Sequence, residues 1–106
     1  METPCVIVFT TVGSTVDGRK LASTLVTERL AACVNVLGEM ESFYRWKGAI
    51  ETERERQLMI KTTAERLAAL KARFHEIHPY EVPEFIVVPV IGGSDRYLDW
   101  LRESTA

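Results

Sequence analysis

The sequence predicts an α+β sandwich in which two helices cover one face of a four-stranded antiparallel sheet. Three observations carry that prediction. Four runs are rich in β-branched and apolar residues, two stretches repeat apolar residues at helical spacing, and the order along the chain is β-α-β-β-α-β. With 106 residues, the chain forms a single domain over residues 1–106 that can bury a core without disulfides or a structural metal.

The first strand is Cys5 to Thr11, broken by Gly13 and Ser14. Ser14 with Asp17 resembles a capping box for the first helix. Leu21, Leu25 and Leu30, flanked by Ala22 and Val26, then form one apolar stripe. Ala31 to Leu37 reads as the second strand, interrupted by Gly38 and resumed through Ser42–Trp46. Lys47-Gly48 is a hairpin turn in which Gly48 supplies a positive φ. The return strand starts near Ala49, crosses a charged stretch from Glu51 to Arg56, and ends at Leu58-Met59-Ile60. The charged stretch reads as a solvated strand surface.

Thr62 with Glu65 suggests a second capping box. Leu67, Leu70, Phe74 and Ile77 follow as one helical face, ended by Pro79, which also disfavours α geometry at His78. Phe85 to Ile91 is the last strand, and Pro89 inside it points to an edge or a bulge. Gly92-Gly93 turns the chain, and Ser94 caps a short final helix bearing Tyr97, Leu98, Trp100 and Leu101. This order is the split βαβ, or ferredoxin-like, arrangement with a long β-hairpin and a short C-terminal helix. The second and third strands span about thirty residues where a compact sheet needs strands of only ~5–6. The hairpin must therefore project, and its Phe43, Tyr44, Trp46 and Ile50 favour association through strand edges.

Composition narrows the function classes. A net charge of −2, with no basic run, argues against nucleic acid as the main partner. No apolar stretch reaches the ~18–20 residues of a membrane span, and the N-terminus shows no signal-peptide pattern. A cytoplasmic protein with reduced Cys5 and Cys33 is expected. The predicted strand order puts the third strand between those carrying the two cysteines, too far apart for a disulfide.

Several segments together resemble the CutA divalent-cation tolerance family. These are Leu30-Ala31-Ala32-Cys33-Val34-Asn35-Val36, Ser42-Phe43-Tyr44-Arg45-Trp46-Lys47-Gly48, Ile60-Lys61-Thr62, His78-Pro79-Tyr80-Glu81-Val82-Pro83-Glu84 and Tyr97-Leu98-Asp99-Trp100-Leu101. They cover nearly the whole chain in order. The resemblance implies a homotrimer built by strand pairing between subunits. It also implies a role in tolerance of copper and other divalent cations, and a likeness to the PII-type regulatory proteins, which bind small ligands in clefts between subunits.

Two functional readings follow. In the first, copper or another divalent metal ion is bound, with Cys33, His78 and Glu81 as ligands, since thiolate, imidazole and carboxylate suit such ions. His75 and His78 sit three apart at a helix end, and the plain alternative is that His78 only terminates the helix, favoured there when protonated, while His75 is exposed. Family members that bind copper through a first-strand cysteine find Thr10 and Thr11 at that place here. In the second reading, a small anionic ligand or a partner protein occupies an inter-subunit cleft lined by Asn35, Lys61, Tyr80 and Glu81. Lys61 and Glu81 serve equally well as inter-subunit ion pairs. No catalytic residues and no organic cofactor are expected. A Cys-x-x-Cys metallochaperone loop, an aromatic RNA-binding strand and an acylphosphatase-type first-loop arginine are each missing.

Overall fold

The computed structural model describes residues 2–106. Its elements are β1 (Cys5–Gly13), α1 (Gly18–Thr27), β2 (Cys33–Trp46), β3 (Ala49–Thr63), a single 3₁₀ turn (Ala64–Arg66), α2 (Leu67–Ile77), β4 (Ile86–Pro89) and α3 (Asp95–Ser104). The four strands form one antiparallel sheet in the order β2-β3-β1-β4. This is the ferredoxin-like arrangement, and Cys5 and Cys33 are both free thiols on strands separated by β3.

The core lies on one side of the sheet. Val8 and Val12 from β1 and Leu58 and Ile60 from β3 meet Leu21 and Leu25 of α1 and Leu70 of α2. Strand alternation sends the intervening residues, Ile7, Phe9, Met59, Ile86 and Val88, to the opposite face, which α1 and α2 leave open. α3 packs instead at the end of the sheet, where Leu101 meets Cys5 and Ala32. Arginines secure its C-terminus: Arg29 donates to the carbonyls of Glu103 and Ala106, and Arg66 to that of Thr105.

Local signals misplace two caps. Asp17, not Ser14, caps α1, accepting the backbone N–H of Arg19 and Lys20 on its carboxylate. Thr62 caps nothing, because β3 runs on to Thr63; its hydroxyl instead donates to the Leu30 carbonyl at 2.7 Å in the core. Leu30 lies beyond α1, after Arg29 at φ 60°, yet still reaches the core. β4 is shorter than expected, and as an edge strand it tolerates Pro89.

The hairpin projects as expected, giving the molecule a long axis of 47 Å against 25 and 24 Å. Fourteen residues of β2 at ~3.3 Å each account for that length. Both Lys47 (φ 48°) and Gly48 (φ 81°) are left-handed at the tip, the requirement of a type I′ turn. Gly38 does not break β2. It sits in a β-bulge, where the pairs Val36↔Leu58 and Glu39↔Arg56 leave one extra residue on β2.

Candidate functional site

The bulge determines what the hairpin presents. Before it, Cys33 and Asn35 pair with Lys61 and Met59 on the sheet face away from the helices. After it the parity changes, and Met40 and Ser42 stand opposite Glu55 and Glu53, with Tyr44 and Trp46 following on the same face. These side chains form one wall of a cleft of about 740 Å³. The loop from Pro79 to Glu84 forms the other.

His78 holds that loop in place. β4 pairs with β1 only from Val6 to Phe9, so the Thr11 carbonyl has no ladder partner from β4. His78 Nε2 lies 2.7 Å from it, and the Tyr80 backbone N–H donates to Nδ1 at 3.1 Å. A nitrogen that accepts a backbone N–H carries no proton, so Nε2–H is the donor to Thr11. The ring is 7% exposed and packs on Phe74 and Tyr80, with centroids 4.9 and 4.8 Å away. Burial is the main cause holding its pKa below the ordinary histidine value, against the pull of the Thr11 bond.

His78 therefore does end α2, donating its N–H to the Phe74 carbonyl, but as a neutral ring rather than a protonated group at the dipole. Protonation would set an Nδ1–H against the Tyr80 N–H. Because the folded pKa is depressed, the unfolded chain binds this proton first as pH falls. Stability from this group is intact above the unfolded value of about 6.5 and declines as pH drops below it toward the folded pKa. Melting curves between pH 8 and 5 should show that loss, and His78→Asn should flatten it. An equal slope in the variant would show that other groups cause it.

Tyr80 carries the loop to the sheet, its hydroxyl donating to Glu55 Oε2 at 2.9 Å. Glu55 is only 6% exposed, and among the described residues no Lys or Arg pairs with it. Burial and this bond push the Tyr80 hydroxyl far above its ordinary pKa, so it remains a donor. Tyr44 is raised in the same direction, first by desolvation and then by Glu53. A Cβ on Gly13 would stand 3.2 Å from the Tyr80 hydroxyl oxygen, so glycine there leaves the bond its room. Tyr80→Phe should cost about 1–2 kcal/mol, less than a fully buried charged bond because Tyr80 is half-buried. Urea titration would read this, and an unchanged midpoint would mean that Glu55 rehydrates without loss.

A family model described as CutA1 divalent ion tolerance protein matches residues 6–104. The chain belongs to the CutA1 family. The divalent-cation tolerance protein CutA of Thermus thermophilus is 46% identical over 99 residues, covering 93% of this chain and 96% of that protein. Protein CutA, chloroplastic, of Arabidopsis thaliana is 44% identical over 102 residues, 96% of this chain, and the match spans 56% of that longer relative. Among solved structures, the PII-like protein CutA of Nostoc sp. PCC 7120 in apo form superposes with a TM-score of 0.88 at 36% identity, over 95% of this chain and 97% of the other.

Against that family name, the expected metal ligands fall apart within one CutA1 chain. Both His78 nitrogens are engaged by backbone groups. Cys33 is half-buried on the sheet face away from the helices, its thiol 3.8 Å from Asn35 Oδ1. Glu81 is exposed at the cleft. Among the described residues no three His, Cys, Asp or Glu side chains converge as a metal site, so a single chain does not fit an ion. The expected ligand cleft also divides. Tyr80 and Glu81 line it, whereas Asn35 and Lys61 share the sheet face but lie outside its lining. Glu53, Glu55 and Glu84 line it unforeseen, and none of its lining residues is Lys, Arg or His. The period-two run Glu51, Glu53, Glu55 was the available signal.

Proposed function

We propose that this CutA1 chain is a homotrimeric, cytoplasmic binding module in divalent-cation tolerance, without a catalytic centre of its own. The observation that carries this reading is the open sheet face. Ile7, Phe9, Met59, Ile86 and Val88 lie side by side there, with Ile86 53% and Val88 38% exposed. A contiguous apolar sheet face with free edge strands is satisfied by self-association. β2 offers its outer edge along fourteen residues for strand pairing with a neighbouring subunit.

Copper or another divalent ion enters this reading through the family, with Cys33 and Glu81 as ligands contributed to a site shared between chains. Light scattering on metal-free protein, followed by calorimetric titration with copper and zinc, tests both parts. A trimer that binds one ion per chain, and loses binding in Cys33→Ala, is expected. A monomer at micromolar concentration overturns the assembly, and an intact trimer that takes up no ion overturns the metal role.

The PII-like reading, a small ligand in the cleft, has its own support in the cleft's volume, which lies in the ~300–1,000 Å³ range of ligand sites. An anionic ligand does not suit it, since four glutamates and no basic side chain line the walls.

A further inference from the structure

We propose that the cleft between the hairpin and the Pro79–Glu84 loop binds a small organic polycation, an aliphatic di- or triamine, between its tyrosine and tryptophan rings and its glutamates. The inference goes beyond the metal reading and uses residues of one chain.

Glu55 is the deepest carboxylate in the cleft, more than nine-tenths buried, and its recorded partner is the neutral Tyr80 hydroxyl. Among the described residues of one chain, a carboxylate in that position is desolvated without a counter-charge, which a bound ammonium group would supply. Glu84 is a second such group, for its Oε2 is sequestered from solvent with no hydrogen-bond partner. The Glu55 side chain and one Glu84 oxygen, on opposite walls, are thus shielded from solvent.

The rings supply the second half of the recognition. Tyr44, Trp46 and Tyr80 line the same space, and an alkylammonium is attracted to aromatic faces while its methylenes pack against them. Trp46 already shows this preference, with the Lys47 ammonium 5.6 Å from its ring centroid. A metal ion has no methylenes to pack on such walls, and among the described residues it finds no converging ligand set.

Spacing favours more than one ammonium. Glu53 and Glu55 are two residues apart on β3, which puts their backbones about 7 Å apart on one face. A short methylene chain between two amines spans that interval, with Glu81 and Glu84 facing it from the loop. Fixed carboxylates at matching intervals would discriminate a diamine from a monoamine of similar size.

The test is titration of the native, chelator-treated oligomer with spermidine, followed by tryptophan emission and calorimetry at physiological salt. Trp46 lies in the cleft and Trp100 on α3. One site per chain is expected, with an emission change that persists in Trp100→Phe and vanishes in Trp46→Phe. Glu55→Gln should weaken binding at least tenfold. Glu53→Gln, on an exposed residue, should also weaken it, and serves if the Glu55 variant does not fold. Glu65→Gln, on the 3₁₀ turn, should leave binding unchanged. Absence of saturable binding overturns the proposal, as when a neighbouring subunit's basic side chain already fills the cleft. So does binding that is equal in all three glutamine variants, or a preference for ATP over spermidine.

Discussion

Phe74→Ala is expected to destabilise the chain by about 3–5 kcal/mol, the range for emptying a buried aromatic position. Phe74 is fully buried on α2, and its ring touches three others: His75 at 5.5 Å, His78 at 4.9 Å and Phe85 at 5.1 Å between centroids. The cavity cannot close easily, because His78 is tied at both nitrogens and Phe85 leads straight into β4. Removing the ring therefore also loosens the two residues that bracket the cleft loop. Chemical unfolding measures the loss. Phe74→Leu, which keeps most of the volume, should lose much less. A loss below about 1 kcal/mol for the alanine variant would show that the loop is held independently of the core.

Phe9→Asp is the second large effect, and it falls on assembly. Phe9 stands mid-strand on β1, between Met59 on one side and Ile86 on the other, on the face that α1 and α2 leave open. Its two direct cross-strand neighbours, Met59 and Ile86, give it no cation. If that face is the contact between chains, a carboxylate there is buried without a partner, at a cost of several kcal/mol in every subunit. The expected result is a fall in mass from three times 12.0 kDa to the single-chain value. Val26→Asp, on the exposed outer side of α1, should leave the mass unchanged. An unaltered mass in Phe9→Asp would remove the sheet face from the interface.

The two effects fall on opposite sides of one sheet, and that division explains why parts of the molecule were legible in advance. Helical periodicity in Leu67, Leu70, Phe74 and Ile77 reports burial against a single partner surface, so it predicted α2 to the residue before His78. Capping signals are weaker because a Ser or Thr has several local uses. Thr62 spent its hydroxyl on the Leu30 carbonyl, and β3 kept its ladder through Thr63. The histidine was the most misleading residue. As a residue type it suggests a metal ligand, but its free lone pair depends on neighbours 67 positions away in sequence.

The order of elements, the core face of the helices, the projecting hairpin and the family are readable from local periodicity or from motifs in order. What the hairpin presents is not, because it depends on long-range strand pairing. One extra residue at the bulge after Val36 reverses the alternation of β2. Tyr44 and Trp46 consequently join Glu53 and Glu55 on one face, and the Tyr80 loop closes over them. A side chain's face in a strand depends on register, and register is a property of the paired strand rather than of the residue. The same glutamates that read as a solvated surface in one dimension become, in three, the acidic wall of a cleft.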